Sequence, residues 1–585
     1  MNPSDKIRSR PVLQKLACLL CLALVGLHPG ISQDSPNDFK ESLYLQTDRD
    51  LYVVGEQVWL KVYKLDALDN KPDNFSKVVY IELLNQDGFP VNQLKLHMPD
   101  KSGSAGFTLS DTLSSGNYLL RAYTSWMKNY PAREFSFRTI SLINPFRGME
   151  KIGVGSSMPV GKDGDTCRTT QPDNGIILSL ENNSDSCGTR EHIQINIRAA
   201  DSSGNPVDAD LSVSVARSCW YVDQKSQMQD LLPSPGKEER EEPATYLPEL
   251  EGIILDGTIL NSQSDQTIRN EQIVMSIVGK AARCQVYRTT DNGKFYFNLD
   301  ETGVQEIVIQ PADSALRDFY IELESDFHNG YDHPFPGPFY LDTTRLQELN
   351  QGIINMQIQN IYKPYHQGKS PGAPEASKYD FYGEAEFRIQ ISDYILLENI
   401  REVIKEIIPK VSLQVKNGKS SLWIENGIDE RYFDHKPLVL VDGVPFDDVD
   451  QILNISIGDL EQIEVINLRY FLDGHMFEGI IHFLTKEGKM AGLEFDHAIF
   501  RQAYAAFSEE VRFRSPSYGS DSLRNSSLAD FRNTLYWNPG LNTREDGETS
   551  FEFYTSDEPG EYTVYVEGIT PDGKSGFICK KLFVH

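Results

Sequence analysis

The reactive side chains of this sequence are scattered, and their spacing limits the chemistry open to it. Its 11 histidines include no pair four residues apart, the arrangement that puts two imidazoles on one helix face for a metal. Neither His-Glu-x-x-His nor Gly-x-Ser-x-Gly occurs. An internal thioester needs Cys-Gly-Glu-Gln, and here Gly55-Glu56-Gln57 follows Val54. The densest acidic group is Asp442, Asp447, Asp448 and Asp450, which lacks the Gly and terminal Glu of an EF-hand loop, so a solvated acidic turn is the favoured reading over a calcium site. The expectation is no catalytic residue, no metal and no cofactor, hence not an enzyme. One stretch stands out for interaction: Asp442-Gly443-Val444-Pro445, expected as an exposed tight turn between its sheet and a partner or a neighbouring domain, with the structural role, Gly443 for backbone freedom and Pro445 for rigidity, favoured over binding.

Several elements must position that turn. Pro437–Val441 reads as a buried strand leading into it. Upstream, Leu396, Ile400, Val403, Ile404, Ile407 and Ile408 recur at helical spacing, with Glu398, Arg401, Glu402 and Lys405 on the other face, and Pro409 stops the helix. SLQVKN, LWIEN, DLEQIEVINLR and GIIHFLTKEGK supply further strands, completing a small α+β unit over 385–490. The helix is expected to pack on a mixed sheet containing both 438–441 and 479–484. Pro437-Leu-Val-Leu-Val-Asp-Gly-Val-Pro445, Leu460-Glu-Gln-Ile-Glu-Val465 and Gly479-Ile-Ile-His-Phe-Leu-Thr-Lys-Glu-Gly488 occur in that order, and the unit resembles the plug domain of TonB-dependent outer-membrane receptors. In such receptors a barrel of about 22 strands encloses the plug. Fewer than 100 residues follow Lys489, so the resemblance implies a plug-like fold without its pore.

The rest reads as β. Over 38–147, SLYLQTD, QVWLKVYKLD, KVVYIELLN, GNYLLRAYT and FRTISLI alternate apolar with polar between Gly, Asn, Asp and Pro turns, the pattern of an antiparallel sandwich. Tyr52, Gly55, Glu56 and Val58, with Gly116–Met127, resemble a macroglobulin-type domain of the alpha-2-macroglobulin superfamily in its Bacteroidetes branch. A second macroglobulin-like segment spans 174–223, where Asp201-Ser-Ser-Gly204-Asn-Pro206 leads into LSVSV. Its strands are too few to close a sandwich, and the C-terminal segment 530–585 offers four more; the two segments form one sandwich, or else two separate small β domains. Residues 224–248 are a charged linker around PSPGKEEREEPA. Residues 249–326, with Thr289-Thr-Asp-Asn-Gly-Lys-Phe-Tyr-Phe297, resemble the carboxypeptidase-regulatory, transthyretin-like sandwich, which carries no peptidase chemistry of its own. A helix and a Pro/Gly/Ser linker fill 343–380. The expected fold class is mostly β: macroglobulin- or immunoglobulin-like antiparallel sandwiches plus the α+β unit.

Lys6, Arg8, Arg10 and Lys15 precede the apolar run LACLLCLALVGL, and Gly30-Ile-Ser32 offers small residues for cleavage, so residues 1–32 read as a signal peptide. The run is too short to span a bilayer, and no transmembrane segment is expected after cleavage. Removing those residues, which hold four positive charges and one negative, takes the net charge from −29 to −32. Such a chain is repelled by nucleic acid. Five cysteines then remain, Cys167, Cys187, Cys219, Cys284 and Cys579, without a Cys-x-x-Cys pair; a Cys187–Cys219 bridge and buried free thiols are both open. The functional expectation is a non-enzymatic binding or scaffold protein of the cell envelope, periplasmic or outer-membrane-associated, whose partner is an envelope protein such as an outer-membrane barrel or a lipoprotein. The alternative is a macroglobulin-type protease-interacting protein lacking the thioester, engaging through residues 224–244.

Overall fold

Strand His192–Ala200 alternates at every step: His, Gln, Asn and Arg point outward while Ile193, Ile195, Ile197 and Ala199 are buried. The same period-two pattern, repeated along the chain, makes the protein mostly β, with antiparallel sandwiches and one small α+β unit. The computed structural model describes residues 40–147, 153–154, 175–182, 185–218, 244–312, 316–330, 339–341, 346–366, 380–394, 398–496 and 499–585. The expected signal peptide, Cys167, Cys219, Leu396 and the charged core of the 224–248 linker lie outside them. Glu41–His585 form one unit.

The N-terminal sandwich comprises β1 (Glu41–Thr47), β2 (Leu51–Val53), β3 (Gln57–Asp66), β4 (Val78–Leu84), β5 (Pro90–His97), β6 (Ser102–Thr108), β7 (Gly116–Tyr123) and β8 (Ser136–Ile143), arranged as sheets β1-β3-β6 and β2-β8-β7-β4-β5. Gly55, at φ +88°, makes the turn from β2 into β3. After β9 (Gly153–Val154), the second sandwich opens with β10 (Ile177–Asn182), β11 (Ser186–Cys187), β12 (His192–Ala200) and β13 (Asp210–Arg217). A third β module follows: β14 (Ile253–Asn261), β15 (Gln272–Ile277), β16 (Arg283–Arg288), β17 (Lys294–Leu299), β18 (Val304–Pro311) and β19 (Phe319–Leu323). Then come β20 (Tyr340–Leu341), paired in parallel with β9, and helix α1 (Leu346–His366), whose Leu349 and Met356 pack with Leu51, Val53 and Ile143.

The α+β unit holds β21 (Phe387–Gln390), α2 (Ile400–Glu406), the hairpin β22 (Val411–Lys416) and β23 (Lys419–Ile424), then β24 (Leu438–Val441), β25 (Val444–Pro445), α3 (Val449–Ile452), β26 (Leu460–Leu472) and β27 (His475–Thr485). Its sheet runs β21-β26-β27-β24-β25, with β24 parallel to β27 and the other pairings antiparallel. Asn399 caps α2 by accepting the Glu402 N–H, and Ile400, Val403 and Ile404 are buried against Val439, Val441, Ile481 and Phe483.

Chain order and spatial order then diverge. β28 (Phe500–Ala505) returns to the third module as the edge partner of β18, so the sheet β16-β15-β18-β28 extends beyond the 249–326 boundary and the α+β unit is inserted within that module. The last strands, β29 (Thr534–Asn542), β30 (Glu548–Tyr554), β31 (Gly560–Ile569) and β32 (Ser575–Val584), return to the second sandwich. β30 pairs with β12 from His192↔Tyr554 to Arg198↔Glu548, and β13 lies between β29 and β31. The second sandwich is thus built from residues 175–218 and 533–585, with the third module and the α+β unit inserted between its halves.

Polar contacts seam these modules together. Between the first two sandwiches, Lys61 Nζ meets Asp210 at 2.6 Å, Ser214 Oγ donates to the Asp48 carbonyl at 2.6 Å, and Thr534 Oγ1 and Asn533 Nδ2 donate to Asp48 and Glu56 at 2.8 and 2.6 Å. Burial holds the Lys61 ammonium down to about 8 despite its Asp210 partner. Between the N-terminal sandwich and the third module the core is continuous, joining Leu94 and Phe107 to Ile307 and Phe507. Fully buried Arg121 grips Glu82 and donates to the carbonyls of His328 and Gly330 at 2.8 and 2.6 Å. Buried pairs of this kind define relative placement more than they add net stability.

Candidate interaction site at the 442–445 turn

Asp442 and Gly443 sit at φ +44° and +80°, the left-handed pair that a two-residue hairpin between β24 and β25 requires. This turn is not exposed, contrary to the sequence reading: Asp442, Gly443 and Val444 are all buried. The physical reason is that donors surround it. The Asp442 carboxylate accepts Thr485 N at 2.7 Å, Thr485 Oγ1 at 2.6 Å and Met490 N at 2.6 Å. The turn's own carbonyls face the third module: Asp442 O accepts from Gly279 N at 3.0 Å, Gly443 O from Cys284 Sγ at 3.2 Å and Pro445 O from Gln310 Nε2 at 2.9 Å. A Cβ on Gly443 would stand 3.1 Å from the carbonyls of Ile277 and Ala281. The four residues form a buried joint between two modules of the same chain.

His482, on β27, completes the joint. Its Nε2 accepts the Gly443 N–H at 2.9 Å, so the proton of the neutral ring is assigned to Nδ1, which meets the Tyr382 hydroxyl at 2.6 Å; that hydroxyl in turn reaches Glu464 at 2.9 Å. Burial pushes His482 down to about 3. Its signal in the sequence is slight: one polar residue inside the apolar run GIIHFLT.

The remaining acidic residues serve separate purposes. Asp448 caps α3 by accepting the Asp450 and Gln451 N–H groups, Asp450 accepts Ser420 N, and Asp447 is exposed. No group of three or more potential metal ligands converges among the described residues. Two spacings that could suggest chemistry are taken up by strands. His475-Met-Phe-Glu478, with His482 further on, has the interval of a zinc-ligand pair, yet His475 meets Gln272, Glu478 meets His435 and Arg469, and His482 belongs to the joint. Gly568-Ile-Thr-Pro-Asp-Gly-Lys-Ser575 has the interval of a phosphate loop, which needs a following helix. Here it is the hairpin from β31 to β32, with Lys574 paired to Asp572 at 2.9 Å.

Cys187 and Cys284 are buried free thiols, so the Cys187–Cys219 bridge is not made, whereas Cys579 is disulfide-bonded. No helix among the described residues is long and apolar enough to cross a membrane.

Among the described residues, one group of exposed apolar side chains lies at the far end of the β26–β27 ribbon. Its inner face, Tyr470, Leu472 and Phe477, packs on the third module, where Asp473 accepts Val286 N at 3.1 Å. On the outer face the cross-strand pair Phe471 and Met476 stands 68% and 42% exposed. The loop after β23, tied in by Gly427 N to Asn467 O at 2.9 Å, adds Ile428 and Tyr432, 83% and 52% exposed.

No protein-family model matches the chain, and no curated protein matches it. Among solved structures it is similar to Escherichia coli alpha-2-macroglobulin activated by trypsin, at 9% identity and a TM-score of 0.22, covering 94% of this chain and 42% of that one. The porcine-elastase-activated form of the same protein matches at 10% identity and 0.24, covering 93% and 44%, and Salmonella alpha-2-macroglobulin reacted with methylamine at 11% and 0.23, covering 94% and 40%. The chain spans less than half the length of these proteins. Scores this low carry no argument about activity.

Proposed function

We propose that the protein is a non-enzymatic scaffold of the cell envelope that binds a protein partner. The observation that carries this reading is the β26–β27 ribbon, whose inner face is clamped to the third module while Phe471 and Met476 on the outer face are held out to solvent. Apolar side chains presented on a rigid support suit protein recognition, because little freedom is lost on binding. The nested modules with their polar seams provide that support. The disulfide at Cys579 is in keeping with an oxidising compartment outside the cytoplasm, as is the signal-like N-terminus. The resemblance of residues 385–490 to a receptor plug makes an outer-membrane barrel or a lipoprotein the kind of partner to seek.

The test compares wild type with the double variant Phe471→Asp/Met476→Asp as bait in detergent-solubilised outer membranes, with retained proteins identified by mass spectrometry. The reading expects one stoichiometric envelope partner that the double variant loses while its hydrogen-exchange pattern stays native. Equal retention by both would remove the ribbon from the account, and peptide hydrolysis by the purified protein would overturn the non-enzymatic reading itself.

A further inference from the structure

Glu249 occupies the crossing between the N-terminal sandwich and the third module. Its carbonyl accepts Lys77 N at 2.7 Å from the start of β4, its Oε1 accepts the Tyr80 hydroxyl at 2.8 Å from the same strand, and Oε1 also accepts Ile254 N at 2.9 Å from β14. One side chain therefore ties the two modules together. Its other oxygen, Oε2, is buried without a hydrogen-bond partner, an arrangement that strongly disfavours a full negative charge. The preceding segment is tethered as well: Asn129 Oδ1 accepts Thr245 N and Tyr246 N, both at 2.9 Å.

The surroundings are ionisable on every side. Beside Tyr80 on β4 stand Lys128 from the turn after β7, Lys95 from β5, Asp256 from β14, Asp326 after β19 and Tyr504 from β28. Lys95 bonds Asp326 Oδ2 and the Tyr504 hydroxyl, both at 2.8 Å, while Lys128 Nζ reaches the Asp326 carbonyl at 3.0 Å. Asp326 already has donors of its own, whereas Glu249 has one oxygen filled and one empty.

We propose that this joint is a pH-responsive clamp between the two modules, closed while Glu249 carries a proton and loosened when it is ionised. Burial raises the Glu249 carboxyl from 4.5 to about 7, with the Ile254 and Tyr80 hydrogen bonds and the Lys128 charge acting the other way. A carboxyl raised on folding favours the closed state fully below its unfolded value, and that contribution is lost as pH rises through the folded value. The window is therefore mildly acidic to neutral pH, and the loosening occurs on the alkaline side.

Hydrogen exchange on the full-length mature protein tests this, read at Ile254 and Leu255, with Ile195 and Ile197 in β12 of the second sandwich as internal reference and intrinsic exchange corrected. From about pH 5.5 to about pH 8.5 the opening of the joint should rise on the order of 30-fold relative to the reference. In Glu249→Gln, which keeps an acceptor for Tyr80 and Ile254 without a titratable group, that relative change should vanish. A flat wild-type profile overturns the clamp, and so does an unchanged pH dependence in the variant. If Glu249→Gln does not fold, the wild-type profile decides alone, since a midpoint away from neutrality is equally contrary.

Discussion

The Gly443 N–H points at Nε2 of His482 across 2.9 Å, and this single bond requires the imidazole to be neutral and to keep its proton on Nδ1. Protonating the ring would set two N–H donors face to face. Because burial lowers His482 to about 3 from 6.5, its contribution to stability is complete above 6.5 and is lost as pH falls towards the folded value. Between about pH 6.5 and pH 5 the wild type should lose about 2 kcal/mol from this group. His482→Gln, which preserves an acceptor for Gly443, should flatten the acid limb of a denaturant-monitored stability profile, and a limb of unchanged slope would count against the assignment.

Asp442 should be the least replaceable residue of the turn. Asp442→Ala strands Thr485 N, Thr485 Oγ1 and Met490 N in a buried site, at a cost of about 3 kcal/mol. Chemical denaturation should register the loss in the α+β unit. A change below about 0.5 kcal/mol, the size of an ordinary surface substitution, would mean that the turn is solvated after all.

Ile400→Asp or Val403→Asp places a charge in the core shared by α2, β24 and β27, where both native side chains are fully buried. Hydrogen exchange should show residues 400–490 losing protection while 78–84 and 118–123 keep theirs. Retained protection over 438–441 and 480–484 would show that α2 is not the lid of that sheet.

Arg121→Met leaves the Glu82 carboxylate buried without its cation and releases the carbonyls of His328 and Gly330. Breaking a buried pair from one side costs about 3–5 kcal/mol, and the double replacement Arg121→Met/Glu82→Leu should recover most of it. Thermal unfolding of the two variants side by side checks this; a double variant no better than the single one would refute the pairing.

How much of this is legible in the sequence depends on the range of the interaction. Period-two alternation in HIQINIRAA or KFYFNL reports which face of a strand is buried, so the mostly β class follows from it. Such patterns say nothing about which strand lies alongside. Phe500–Ala505 looks like any short strand, and only its pairing to Val304–Ile309 reveals that the α+β unit is an insertion. Asp442–Pro445 is recognisable as a turn because Asp-Gly followed by Val-Pro demands one, but turn chemistry is the same in solvent and in an interface. Its burial comes from Gly279, Cys284 and Gln310, more than a hundred residues away in sequence. Glu249 escaped notice for a similar reason: it stands where one segment ends and the next begins, and its three partners come from both sides.

The central claim is that the modules are nested into one interlocked body, and a chain ended after Asn525 tests it most directly by hydrogen exchange. Such a chain lacks β29–β32, the neighbours of β12 and β13 in both sheets of the second sandwich. The account predicts that residues 193–199 and 211–216 lose their protection while 78–84 in the N-terminal sandwich stay protected. Native protection across 193–216 in the shortened chain would show that the second sandwich closes without the C-terminal strands, and would contradict the nesting.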